Sequence, residues 1–239
     1  MSAWKDKRWL LVLAHPDDET FICGGLLAKY ARLGVDIHLV CATKGEMGRR
    51  VGNPPYVTRE SMPGLREREL AEACGHLGIR QPRYLGLLDK FVEFQPAREL
   101  QNTILEHMLD IRPELVLTFH ERLGGHPDHC AIGLAATNAY REAREYGRIP
   151  ELKGLYFISF GDSMKQPERY GLSKADIVAV DIADTRREKL LGFRAHRCQT
   201  EIHPWVWQPD AEAIASMQSV EYLIRGDRPQ DRLAYPFES

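Results

Sequence analysis

The chain has 239 residues, 44% of them apolar and 28% charged, with a formal net charge of −2. That length suits a single domain over 1–239 whose core needs no staples. The near-neutral balance argues against a whole-protein nucleic-acid or membrane surface and leaves local patches open. No apolar run approaches the ~20 residues of a membrane helix, and Met1 to Arg8 lacks the apolar core of a signal peptide. Cys23, Cys41, Cys74, Cys130 and Cys198 are scattered with no C-x-x-C pair. That spacing argues against a disulfide framework or a thiolate zinc site, and reduced thiols fit a cytoplasmic protein.

In chain order, Leu10 to Ala14 is an apolar run closed by His15-Pro16-Asp17-Asp18-Glu19. The pattern predicts a buried parallel strand that delivers a polar cluster to the carboxyl edge of the sheet. Glu19 to Leu33 reads as a helix with Ile22, Leu26 and Leu33 on its apolar face and Gly34 as its cap. Gly24 and Gly25 allow close packing there. A second strand is expected over Val35 to Ala42. Thr43 to Pro63 then breaks all periodicity with repeated Gly and Pro, and a loop of that length inside a compact domain is usually functional. It carries Lys44, Arg49, Arg50 and Arg59 against Glu46 alone.

Leu65 to Leu77 is predicted helical, with Leu70, Ala73, Cys74 and Leu77 inward. Arg83 to Leu87 is a short strand. Pro96 to Ile111 is a helix, and Glu114 to Phe119 is another buried strand. After the loop His120 to His129, Asp128 to Tyr146 is helical, with Ile132, Leu134, Ala135, Ala136 and Ala139 available for packing. Strands recur at Gly154 to Ser159 and Ile177 to Asp181. A helix spans Thr185 to His196, and a helix plus a strand occupy Asp210 to Ile224. The charged tail from Gly226 is expected to be loosely held. Strands alternating with helices argue an α/β fold with a mostly parallel, doubly wound sheet. G-x-G-x-x-G and P-loop patterns are absent, so a nucleotide cofactor has little support.

The strand ending at Phe119 repeats the logic of the first. Glycines follow it, and then His126-Pro127-Asp128-His129 opens a helix. His15, Asp18 and one or both of His126 and His129 are available to one ion. Two histidines and a carboxylate with an open position is a catalytic zinc arrangement, and it suits other divalent ions too. Asp17 is left over beside Asp18, where a carboxylate next to an activated water would serve as general base.

Ala14-His15-Pro16-Asp17-Asp18-Glu19 and Gly125-His126-Pro127-Asp128-His129 resemble the two signature motifs of the LmbE-like, or PIG-L, zinc-dependent de-N-acetylases. The segments Thr43 to Gly48, Arg66 to Leu70, Leu88-Asp89 and Lys189 to Gln199 are also similar to that family. The resemblance implies a Rossmann-like three-layer α/β sandwich and one Zn2+ on His15, Asp18 and His129. It implies Asp17 as base and His126, in its protonated form, as the group that assists the transition state. It leaves open whether Asp17 or His126 protonates the leaving amine.

The loop Met47 to Glu60 further resembles the bacillithiol-pathway enzymes that deacetylate N-acetylglucosaminyl-malate. That makes Arg49, Arg59, Glu46 and Asp128 candidate substrate contacts, since arginine binds carboxylates bidentately. The alternatives are the same chemistry on diacetylchitobiose or an aminoglycoside precursor, or amidase action on a thiol conjugate. Asp128 is readable equally as an orienting partner for one of the two histidines beside it and as a helix N-terminal charge; His196 and Gln199 could support the rim, but a helix-end backbone role is the preferred reading of both. The expected partner is an acetylated amino-sugar, with neither nucleic acid nor membrane. The resemblance also suggests a homo-oligomer, a trimer or hexamer.

Overall fold

A computed structural model describes residues 4–49, 55–159 and 164–227. Strand β1 (Arg8–Leu13) is the expected apolar run, and its last five residues are all buried. It is flanked by β2 (Asp36–Thr43) on one side and β4 (Leu115–Phe119) on the other, both parallel to it. With β3 (Arg83–Leu87), β5 (Gly154–Ser159), β6 (Ile177–Asp181) and β7 (Val220–Arg225), the sheet runs β3-β2-β1-β4-β5-β7-β6. Only β7 is antiparallel to its neighbours, β5 and β6.

The chain winds outward from β1 through β2 to β3 and then crosses back to β4. The reversal leaves a crevice beyond the carboxyl ends of β1 and β4, where open α/β sheets place their ligands. Both His-containing motifs sit at those two strand ends.

Helices cover both faces. α1 (Asp18–Arg32), α2 (Met62–Leu77) and α5 (Arg186–Ala195) pack together on one side, and α3 (Ala97–Ile111) and α4 (Pro127–Glu145) on the other. Short helices α6 (Arg197–Thr200) and α7 (Asp210–Ser216) follow α5. The result is the expected three-layer sandwich around one large apolar core with two small satellite clusters. Among the described residues no helix is long and apolar enough to cross a membrane.

α1 is kinked at Cys23, whose φ of −136° is not helical. The amides of Gly25 and Leu26, just past the kink, donate to the Glu221 carboxylate of β7 at 3.0 and 2.7 Å. Lys189 of α5 completes that buried knot, its Nζ 2.6 Å from Glu221 Oε1. A Cβ at Gly25 would meet Ile182 at 2.5 Å, so the glycine pair does permit close packing, against Ile182 and α5.

Two packing expectations fail. Leu33 is the residue after the last helical turn, and Leu134 lies on the outer face of α4; both are exposed. The loop before α2 is anchored by a small cluster of Val57, Met62 and Cys198. Arg50 to Pro54 of that loop, and the tail past Asp227, lie outside the described residues.

Candidate metal centre

His15 follows β1 directly, and the Pro16 bend turns the chain into α1. Asp17 takes the left-handed φ of 117° ahead of the helix, a conformation that non-glycine residues rarely adopt and that clusters at functional sites. The strained turn separates the two aspartates. Asp18 Oδ1 lies 3.2 Å from His129 Nε2, while its Oδ2 lies 3.7 Å from His15 Nδ1 and accepts the His15 backbone N–H at 2.8 Å. Asp17 Oδ2 instead accepts from Arg66 Nη2 at 2.8 Å.

The second motif arrives at the start of α4. His126 caps that helix: its Nδ1 accepts the Asp128 backbone N–H at 3.1 Å. Pro127 stands at the first turn, where a missing N–H costs nothing. His129 Nδ1 donates to the Gly124 carbonyl at 2.8 Å, and its ring stacks on Phe119 at 3.9 Å and 3°. That donation leaves Nε2 bare and directed at the site.

His15 mirrors it. Its Nε2 lies 3.2 Å from both Asp128 Oδ2 and Asp89 Oδ1, so the proton belongs on Nε2 and the lone pair on Nδ1. His15 Nδ1 and His129 Nε2 are 3.2 Å apart. Two bare imidazole nitrogens at that distance, with Asp18 oxygens beside both, match ligands around one small ion, whose bonds of about 2.0–2.2 Å put tetrahedral neighbours roughly 3.3–3.6 Å apart.

His15, His126 and His129 offer nitrogens all within 4.8 Å of one another. His126, however, already uses Nδ1 as the helix cap. The His15, Asp18 and His129 donors fit a divalent cation, and His126 keeps its Nε2 free beside them.

The electrostatics agree. Burial opposes a charge on His15, but Asp128, Asp89 and Asp18 overcome it and lift its pKa to about 10. Carboxylates gathered around one imidazole favour positive charge at this point, as a proton or as a metal ion. The neighbouring aspartates part company. Burial, reinforced by Asp18 and opposed by Arg66, raises Asp17 to about 6, whereas His129 and His15 overcome burial at Asp18 and hold it down to about 2. Burial, together with His15 and His129, lowers His126. The cap bond at Nδ1 favours the tautomer with its proton on Nε2, so His126 faces the site as an N–H donor.

The open pocket above these groups holds about 280 Å3. Beside the five motif residues named above it is lined by Met47, Gly48, Arg66, Asp89, Lys90 and Gln199. The four candidate substrate contacts are absent from that lining. Arg59 Nη1 donates to the Glu46 and Gly48 carbonyls at 3.0 and 2.7 Å, which makes it a brace for the loop. Glu46 Oε2 accepts the Asp89 N–H at 3.1 Å. Arg49 is exposed on the loop. Asp128 is fully buried and orients a histidine, though His15 rather than either of those beside it.

The buried support behind the site was less visible. Arg66 is 3% exposed and donates to the carbonyls of Gly45 and Pro16 as well as to Asp17. Glu19 Oε2 accepts the Asp17 N–H at 3.0 Å, and its Oε1 lies 2.7 Å from His196 Nε2. His196 is therefore no rim residue; it is fully buried behind Asp17. Arg66 and Glu69 fall in helical register with the inward Leu70 and Ala73, and that spacing is the signal that could have found them.

Comparisons with known proteins point the same way. A family model described as GlcNAc-PI de-N-acetylase, PIG-L, matches residues 10–140. The chain is 38% identical to a probable N-acetyl-α-D-glucosaminyl L-malate deacetylase 2 of Bacillus subtilis, over 80% of this chain and 83% of that protein. It is 30% identical to a 1D-myo-inositol 2-acetamido-2-deoxy-α-D-glucopyranoside deacetylase of Rhodococcus erythropolis, over 83% of each. The structure of an N,N′-diacetylchitobiose deacetylase from Pyrococcus horikoshii superposes with a TM-score of 0.68 at 20% identity, covering 92% of this chain and 84% of that one. At that identity the match speaks for the fold.

Proposed function

The chain belongs to the PIG-L family of GlcNAc-PI de-N-acetylases, and from that premise we propose that it is a cytoplasmic, zinc-dependent deacetylase of N-acetyl-α-D-glucosaminyl L-malate. The observation that carries the chemistry is the pair of bare nitrogens, His15 Nδ1 and His129 Nε2, 3.2 Å apart with Asp18 beside both and Asp17 turned away. The malate conjugate is preferred because that relative is the more similar of the two sugar-conjugate deacetylases above.

A Zn2+ ion held by His15, Asp18 and His129 would supply Lewis acidity, lowering the pKa of a water and polarising the acetamide oxygen. The rest falls to side chains. Asp17 takes the water's proton; Arg66 holds its Oδ2 and leaves Oδ1 for the transfer. As the water oxygen bonds to the acetyl carbon, negative charge grows on the acetamide oxygen. His126 Nε2–H donates to it, a role a neutral imidazole performs.

Asp17, now a carboxylic acid, returns the proton to the sugar nitrogen. The C–N bond breaks, and acetate and the free amine leave. With its Nδ1 lone pair engaged by the Asp128 N–H, His126 is cast as the oxyanion donor and Asp17 as the group that delivers the proton.

The test is acetate release from N-acetylglucosaminyl-malate. Activity is expected to vanish when a chelator strips the protein and to return with one equivalent of Zn2+. Full turnover by protein with substoichiometric metal would overturn the assignment.

A further inference from the structure

We propose that Lys90 is the receptor for the negative charge of the substrate's aglycone. The proposal rests on the reading above and narrows it to one side chain. Arginines of the basic loop are the obvious receptors for an acidic group; Arg50 lies outside the described residues, and neither of the other two lines the pocket. Arg59 braces the loop's own carbonyls, and Arg49 does not line the pocket. Two cations do line it, Arg66 and Lys90. Arg66 is buried, and its guanidinium is shared among Gly45, Pro16 and Asp17. Lys90 is exposed, and among the described residues nothing takes a bond from its Nζ.

The backbone supplies an independent argument. Lys90 has φ +70°, a conformation that favours glycine. The turn is held there from the metal centre: Asp128 Oδ2 accepts the Lys90 N–H at 2.7 Å and Oδ1 the Val92 N–H at 3.2 Å. That same Oδ2 lies 3.2 Å from His15 Nε2. A lysine kept in a strained turn tied to a metal ligand is a side chain in use.

The charge around it says for what. Asp17, Asp18 and Asp89 line the pocket with carboxylates. An acidic aglycone entering there meets like charge unless a cation stands at the mouth; a neutral aglycone such as inositol has no such need. A flexible lysine serves as a point charge for carboxylates in more than one pose.

The experiment compares kcat/KM for N-acetylglucosaminyl-malate with that for the neutral N-acetylglucosaminyl-inositol, using zinc-loaded wild type, Lys90→Met, Lys90→Gly and Lys90→Arg. Lys90→Met and Lys90→Gly are expected to lower the malate-to-inositol ratio about tenfold or more, through KM, a change on the scale of one charge-assisted contact. Lys90→Arg should keep most of the preference. Lys90→Gly relieves the turn and should melt no lower than wild type, which separates charge recognition from a structural role. A wild-type preference for the acidic conjugate that survives in Lys90→Met and Lys90→Gly overturns the Lys90 proposal alone. A wild type with no such preference overturns both it and the malate assignment, while acetate release from the inositol conjugate would still report a working deacetylase.

Discussion

Asp17 and Asp18 share a peptide bond, yet their surroundings push their carboxyls in opposite directions, one up to about 6 and one down to about 2. The divergence starts in the backbone. A φ of 117° at Asp17 turns its side chain toward Arg66, and Asp18 begins the helix facing His129. Opposed environments on paired carboxylates separate a proton-transfer group from a ligand. Two variants tell these roles apart. Asp17→Asn is expected to bind a full equivalent of zinc and lose about 10²–10⁴ in kcat, the range for a general base. His129→Ala is expected to lose the metal itself, and elemental analysis beside kcat distinguishes the two. At this scale the motif residues were legible because chemistry restricts which side chains can act. The tautomers were not: which nitrogen of His126 carries the proton depends on a cap bond to Asp128 that only the folded chain shows.

At the scale of elements, the strands and helices followed from period and punctuation. β5 and β6 have the predicted bounds, and the helices begin or end within a few residues of expectation. The loop after β2 is legible from its glycines and prolines; the work of its charged residues is not. Exposed charge suggested substrate contacts, whereas Arg59 and Glu46 brace the loop against the turn after β3. Gly45 shows how tight that brace is. Its φ is +66°, and a Cβ there would collide with the Arg66 guanidinium. Gly45→Ala therefore meets a backbone penalty of about 1–2 kcal/mol and displaces the group that holds Asp17. It is expected to lower both Tm and kcat while leaving the zinc content near one. Unchanged kcat would remove Arg66 from the support of the base.

For the whole molecule, the crossover from β3 back to β4 sets β1 beside β4 and brings His15 to His129, 114 positions apart along the chain. On the face covered by α1 and α5, the Lys189–Glu221 pair ties α5 to β7, and Glu221 also satisfies the two amides just past the kink in α1. Removing one partner leaves a buried ammonium and two buried donors without an acceptor. Glu221→Ala is expected to cost about 3–5 kcal/mol of stability, read as the shift of a denaturant midpoint at constant m-value. A loss below about 1 kcal/mol would show that water replaces the carboxylate there.

The sequence by itself determined the alternation of strand and helix, the two strand-end clusters and the residue types able to bind an ion and move a proton. These are local properties: side-chain periodicity, helix punctuation and ligand chemistry act over a few residues. Tertiary structure alone decided that His15 Nδ1 and His129 Nε2 face each other, that Asp128 orients His15, that Arg66, Glu19 and His196 stand behind Asp17, and that Lys90 lines the pocket. Each of these depends on partners far apart in the chain, and a spacing pattern carries no information about which distant residue will complete a buried hydrogen bond.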